Sequence, residues 1–135
     1  MMTGGCACGA VRYEIDATPI VSLQCQCRDC QHATGGGHAN ALAFQEPSVR
    51  LSGNLKYYEG RNDRGYLVRR GFCPDCGSPI TLTTSRNPAM RVIAAGSLDD
   101  PSVFEPQMVF FTRSGQAWDH LDSALPKFET LPPSA

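Results

Sequence analysis

A mainly β fold is predicted by three features of this sequence. Its apolar stretches are short and rich in β-branched and aromatic residues. Thirteen glycines and ten prolines interrupt those stretches along the whole chain. Only two segments, residues 28–34 and 118–125, have a composition that suits a helical turn or two.

The elements follow in chain order. Residues 11–15, Val-Arg-Tyr-Glu-Ile, alternate apolar and polar as a half-buried strand does. Strands are expected at residues 20–24, 39–44 and 48–51 as well. Ser52-Gly53-Asn54 reads as a turn, with residues 55–59 as the returning strand. Residues 66–70, 80–84, 91–95 and 107–111 complete the set. Asp99-Asp100-Pro101 reads as a turn. Trp118, Phe110 and Phe111 read as core. Pro132-Pro133 marks a frayed tail. No internal repeat or low-complexity tract is present.

One domain spanning residues 1–135 is the expectation for a chain of 135 residues, which can bury roughly two-thirds of its unfolded surface. Hydrophobic residues make up 41% and charged residues 19%, the balance of a folded chain and not of a disordered one. The net charge of −1 provides no basic excess for a general nucleic-acid surface. No stretch is long and apolar enough to span a membrane. The N-terminal Met-Met-Thr-Gly-Gly-Cys has neither the basic nor the apolar region of a signal peptide. A reducing, cytoplasmic location is therefore expected. There, seven cysteines read as metal ligands or reactive thiols and not as disulfides, and the odd number cannot pair fully.

The cysteines form three clusters: Cys6-Ala-Cys8, Cys25-Gln-Cys27-Arg-Asp-Cys30 and Cys73-Pro-Asp-Cys76-Gly77. The third has the form of a zinc knuckle, with Pro74 presetting the turn and Gly77 permitting a positive φ. A closed structural zinc wants four ligands, so a second pair is needed. Cys6 and Cys8, followed by Gly9, supply it without leaving a sulfur over, whereas the middle cluster would leave one unused. Buried thiols or a redox pair are the plain alternatives for these four. The middle cluster can hold one face of a tetrahedral ion and leave the fourth position open. Three thiolates make a zinc a poorer activator of water than three histidines do, and a better acceptor of an incoming thiolate. A second closed site with His32 or His38 as fourth ligand, an iron–sulfur cluster, or metal-free thiols are the alternatives. The spacing does not match the ferredoxin runs.

The sequence resembles the glutathione-dependent formaldehyde-activating enzyme family, whose domain also occurs in centromere protein V. The resemblance rests on Gly5-Cys6-Ala7-Cys8-Gly9-Ala10-Val11-Arg12-Tyr13 and on Cys25-Gln-Cys27-Arg-Asp-Cys30 leading to Gly35. It continues in Phe72-Cys73-Pro-Asp-Cys76-Gly77-Ser78, in Gly96-Ser97-Leu98-Asp99-Asp100-Pro101, and in the stretch from Trp118 to Phe128. The resemblance implies a β-tent fold of small antiparallel sheets around two zinc sites. It implies a structural zinc on Cys6, Cys8, Cys73 and Cys76, and a second, open zinc on Cys25, Cys27 and Cys30. It also implies a carbon–sulfur lyase reaction that joins glutathione to formaldehyde as S-hydroxymethylglutathione. Gln26 stands where the family typically has histidine, and no catalytic role is assigned to it.

With glutathione as the implied substrate, Gly35 and Gly36, in the Gly35-Gly36-Gly37 run, could offer backbone N–H groups to a carboxylate, or form a flexible loop. Arg64 and Arg70, in the basic group with Arg61 and Arg69, could hold its carboxylates, or form a solvated face. Arg28 could offset thiolate charge or point to water. His32, His38 and His120 read as ordinary residues, and no side chain stands out as a general base. The expected partners are a small thiol and a small aldehyde, with no nucleic acid and no membrane. The rival reading is a non-catalytic zinc module that carries a thiol or binds a protein.

Overall fold

The computed structural model describes residues 1–133. Two sheets carry the fold, and the mainly β class is borne out. The smaller sheet is antiparallel, with β2 (Arg12–Ile15) between β1 (Met2–Gly5) and β5 (Val49–Ser52). The larger sheet has seven strands. Its order is β10 (Met108–Phe110), β3 (Val21–Cys25), β4 (Ala39–Gln45), β9 (Met90–Ala94), β8 (Pro79–Thr84), β7 (Leu67–Phe72) and β6 (Lys56–Arg61). All neighbours run antiparallel except β10 and β3, which are parallel. Among the described residues the one α-helix is α1 (Arg28–Thr34). Among the described residues no helix is long and apolar enough to cross a membrane.

Each strand expected from the sequence is present to within a residue or two. β1 is an addition. Its sequence, Met-Thr-Gly-Gly, carries almost no strand propensity, so its pairing with β2 forms it. Gly4 is required there, because a Cβ would meet the Tyr13 ring and the Ser97 carbonyl. The helical turn expected at residues 118–125 is a correction: the segment is a string of turns. Asp122 takes the Ala124 N–H at 2.9 Å on its side chain, and its carbonyl takes the Leu125 N–H at 3.3 Å, a local geometry that competes with helix. The tail expected at Pro132-Pro133 has no strand or helix up to Pro133, and Ser134 and Ala135 lie outside the described residues.

The core lies between the sheets. Val11, Tyr13 and Ile15 project from one face of β2 onto Leu42 and Phe44 of β4, Ile80 of β8 and Ile93 of β9. Burying each such aliphatic or aromatic side chain contributes about 1.5–3 kcal/mol. Cys6 and Cys73 belong to this same cluster. The opposite face of the larger sheet differs. Register places Leu23, Ala41 and Ala94 in one row across it, and Val21, Ala43, Val92, Leu82 and Arg70 in the next. Apart from Ala43 these residues are half-buried, and none belongs to the core cluster. Cys25 and Ala39 stand as paired neighbours at the end of that outer face.

Candidate metal centres

Cys6 and Cys8 lie in the turn between β1 and β2. The Cys6 N–H donates to the Val11 carbonyl at 3.0 Å, the Gly9 N–H to the Cys6 carbonyl at 3.2 Å, and Gly9 holds a φ of 83°. Cys73 and Cys76 lie in the turn between β7 and β8. Here the Gly77 N–H donates to the Cys73 carbonyl at 2.8 Å and Gly77 has a φ of 77°, the turn expected of a knuckle. The Ala7 N–H donates to Ser78 Oγ at 3.1 Å and joins the two turns.

The four sulfurs all lie within 4.8 Å of one another. Cys6 Sγ is 3.6 Å from Cys8 Sγ, which is 3.7 Å from Cys73 Sγ. A tetrahedral ion with metal–sulfur bonds of about 2.3 Å needs sulfur–sulfur edges of about 3.8 Å, so the cluster fits such an ion. The Ser78 hydroxyl and the Ser78 and Cys8 backbone hold the Cys76 thiol down at about 5, ready to ligate as thiolate.

The second cluster is built from the end of β3 and the first turn of α1. Cys25 is the last residue of β3. Cys27 is the N-cap of α1, with extended backbone, and its sulfur accepts the Cys30 N–H at 3.3 Å. That contact folds Cys30 back over Cys27, and the three sulfurs lie within 4.8 Å of one another. No histidine or carboxylate among the described residues joins them at that distance.

Arg70, reaching across from β7, places Nη2 3.9 Å from Cys30 Sγ. The hydrogen bonds from Cys25 and Cys30, helped by Arg70, hold Cys27 down at about 2. Crowding by Cys27 and Cys30, with burial, pushes the Cys25 thiol well above its ordinary value. The Cys25 contact lowers Cys30, but the Cys27 contact and burial outweigh it and leave Cys30 at about 11. Three sulfurs this close share one negative charge between them until an ion takes the place of the protons.

The sequence matches the family model described as glutathione-dependent formaldehyde-activating enzyme over residues 1–114. The chain belongs to this family. The match contains all seven cysteines and ends at Ser114. The fold is similar to that of a Rhodobacter sphaeroides protein solved by crystallography, with a TM-score of 0.59 and 24% identity, covering 73% of this chain and 88% of that one. Family membership sets the activity to consider, glutathione-dependent formaldehyde activation, and two cysteine clusters in this member could hold metal ions.

The other candidate residues divide by position. Arg70 alone of the basic group reaches the three-cysteine cluster. Arg64 sits in the turn between β6 and β7, with its N–H on Asn62 Oδ1 at 3.1 Å. Arg61 donates to the Gly65 carbonyl at 2.7 Å, and the Arg69 guanidinium lies 4.1 Å from the centre of the Tyr57 ring. Gly35 caps α1 with a φ of 74° and gives its N–H to the Gln31 carbonyl at 2.8 Å. The Gly36 N–H goes to Thr34 Oγ1 at 3.1 Å. Both of those N–H groups are therefore engaged within the helix cap. Arg28 bonds Gln31 and approaches His32 at 3.4 Å.

Trp118, expected in the core, is 63% exposed, because the segment it lies on forms turns and presents Asp119 inward instead. Phe110 and Phe111 are half-buried and outside the core cluster; Phe110 packs edge-on to Phe128 at 6.3 Å. Sequence reasoning missed Gln26, Gln31 and Asp119, which are tied together beside the second cluster. The position of Gln26 between two ligands was a usable signal. Asp119 lies in the stretch from Trp118 to Phe128 that carries the family resemblance, but no local pattern ties it to the second cluster.

Proposed function

We propose that this chain is a zinc-dependent carbon–sulfur lyase of the S-hydroxymethylglutathione synthase type, adding glutathione or a similar small thiol to formaldehyde or a related small aldehyde. One observation carries the reading: Cys25, Cys27 and Cys30 converge with no fourth histidine, cysteine or carboxylate among the described residues, while the other four cysteines gather as a set of four. Four and three sulfurs correspond to two zinc ions per chain, one structural and one open. Seven unpaired thiols fit a reducing, cytoplasmic setting.

Zinc at the open centre would favour the thiolate form of an incoming thiol. The chain's own residues do the rest. Cys25, Cys27 and Cys30 hold three corners and leave the fourth to the substrate sulfur. Arg70 offsets part of their negative charge, so an anionic thiol meets less repulsion, and its guanidinium is the nearest partner for a substrate carboxylate. The Gly35 and Gly36 N–H groups are taken by the cap of α1, so Arg64, more remotely, is the further substrate contact in this reading. Ala39, paired with Cys25, and Ala41 on the same face are small side chains beside the open centre. In the reaction the thiol passes its proton to solvent, its sulfur bonds the carbonyl carbon as the C=O π bond opens, and the oxygen takes a proton back from solvent, so that no net proton is gained or lost. Proximity of the two reactants is the main source of acceleration. No side chain is assigned as a general base.

Thermal stability tests the ligand. A thiol completing the open centre should stabilise the fold by about 2.7 kcal/mol at a hundredfold excess over its dissociation constant. Glutathione should raise the melting temperature of the wild type and leave Cys27→Ser unmoved. S-methylglutathione keeps both carboxylates but cannot form a thiolate, so it should act much more weakly. Equal stabilisation by the methylated compound would replace sulfur ligation with carboxylate binding as the mechanism. No shift by either compound at millimolar concentration would remove glutathione as the ligand.

A further inference from the structure

Gln26 is 6% exposed, although it stands between two cysteines at the end of a strand. Its N–H donates to the Phe110 carbonyl at 3.0 Å, and its carbonyl accepts from Gln31 Nε2 at 2.9 Å. Gln31 Nε2 also donates to the Ser114 carbonyl at 2.9 Å. The Gln26 side chain gives Nε2 to Asp119 Oδ2 at 3.0 Å. Asp119, whose side chain is only 9% exposed, also faces His38 Nδ1 at 2.9 Å. A carboxylate only accepts, so His38 Nδ1 carries the hydrogen and Nε2 is left as an acceptor toward Gln24 Nε2 at 3.4 Å. Gln24 donates its other hydrogen to Asn40 Oδ1 at 3.0 Å.

The backbone makes room for this network. A Cβ on Gly115 would stand 2.7 Å from Gln26 Oε1, and a Cβ on Gly37 would collide with the Asp119 carboxylate. Phe111, at the start of the segment that carries Ser114 and Asp119, holds a left-handed φ of 59° and ψ of 42°. A conformation of that kind costs a non-glycine residue about 1–3 kcal/mol and persists only where the surroundings impose it.

Burying a carboxylate and two amides, those of Gln26 and Gln31, to fill space would be wasteful, since apolar residues of the same volume usually serve as well or better. The network has a different geometric effect. Side chains alternate along an extended run, so Cys25 and Cys27 point to one side of β3 and its continuation while Gln24 and Gln26 point to the other. Holding Gln26 by its N–H, its carbonyl and its side chain fixes the direction of both neighbouring sulfurs. A three-sulfur centre needs that help more than a four-sulfur centre, because no fourth ligand among the described residues braces it.

We propose that Gln26, Asp119 and His38 are positioning residues for the open metal centre, clamping the Cys25–Cys27 run to the 110–119 segment so that its sulfurs keep a fixed three-cornered geometry. The proposal rests on the reading that Cys25, Cys27 and Cys30 hold a metal ion, and it does not depend on which thiol binds there.

Cobalt(II) tests it, since cobalt reports thiolate geometry through its charge-transfer and visible bands. A mild chelator strips the open centre of the purified zinc protein, and cobalt is then titrated back. Gln26→Met removes the donor at similar volume. It should lower cobalt affinity about 10–100-fold, as loss of an outer partner does elsewhere, and alter the visible bands. Gly37→Ala displaces Asp119 from the far side without touching residues 25–31, and should act in the same direction. Gln26→His keeps a ring N–H toward Asp119 and should stay within about threefold of wild type, well inside the loss expected when an outer partner is removed. Wild-type spectra and affinity in both Gln26→Met and Gly37→Ala, even with lowered melting temperatures, would overturn the proposal and leave the network a purely structural one. A wild type that takes up no cobalt at the stripped centre would overturn the metal reading and this proposal together. Because glutathione is absent throughout, failure of the thiol reading leaves the result unchanged.

Discussion

Arg70 shows how much a single residue adds to a cluster of sulfurs. Its guanidinium is 3.9 Å from Cys30 Sγ and favours charge on Cys27 and Cys30. Without an ion the three sulfurs hold one negative charge between them, drawn toward Cys27 by its hydrogen bonds from Cys25 and Cys30, while those contacts and burial push Cys25 and Cys30 up and leave two protons on the cluster at neutral pH. Loading the open centre therefore displaces two protons, and acid competes with the metal. The sign is set by the raised thiols: as pH rises, proton competition falls and the metal-bound form gains. Apparent affinity should rise about 100-fold per pH unit through neutrality, measured by competition with a chelator. A tenfold slope would mean that only one of the two sulfurs is protonated in the free protein. Arg70→Met should weaken binding at neutral pH by about tenfold, because the cluster then holds its protons more tightly. The sequence singled out Arg64 and Arg70 from the group with Arg61 and Arg69, and only the β7 register, which turns Arg70 to the outer face beside Leu82, separates the two. The same limit applied to His38: its partner Asp119 is 81 positions away, and no local pattern links them.

The turns that carry the sulfurs differ in what they hold up. Cys6 and Cys73 are part of the buried core with Val11, Ile80 and Leu98, so an ion there is coupled to packing of both sheets. Structural zinc binding of this kind is worth about 10–16 kcal/mol in small peptides. Cys73→Ser and Cys8→Ser should therefore give insoluble or poorly folded protein. Cys27 lies at the end of the outer face, so Cys27→Ser should stay folded and lose one ion. Elemental analysis and thermal melts check both, and identical behaviour of the two classes would erase the distinction between structural and open centres. The two elements the sequence misjudged have physical reasons. β1 pairs in spite of its glycines because β2 offers it an edge and because Thr3 and Arg12 converge on Asp99, at 2.7 Å and 2.9 Å. Residues 118–125 stay out of helix because Asp119 turns inward to Gln26 and His38 and Asp122 bonds its own backbone. The strands, α1 and the knuckle turn were legible because each is set by nearby alternation, capping and glycine.

At the scale of the whole molecule, the first cluster joins positions 65 residues apart, so an ion there closes a long loop and removes much freedom from the unfolded chain. Cysteine count and spacing made that link legible. The parallel pairing of β10 with β3 was not, since no local pattern encodes which distant strands become neighbours. That pairing places the 110–115 segment against Gln26 and Gln31, where the proposed clamp is built. The two candidate metal centres thus sit on different supports, one inside the core and one at a sheet end. Two consequences can be read in one experiment. Protein purified without chelator should contain about two zinc ions per chain, and a chelator should remove the open one first, since three ligands hold less tightly than four. Exchange of isotopically labelled formaldehyde between its free form and its glutathione adduct, followed by magnetic resonance, then reports catalysis directly. The uncatalysed addition is itself easy, so the comparison must be of rates at equilibrium. The two-ion protein should accelerate exchange, and the one-ion protein and Cys27→Ser should both fall to the uncatalysed rate. Zinc added back should restore the one-ion protein alone, because Cys27→Ser lacks a corner of the open centre. Acceleration by neither form, with two zinc ions bound and glutathione still raising the melting temperature, would make this member a thiol carrier and not a lyase.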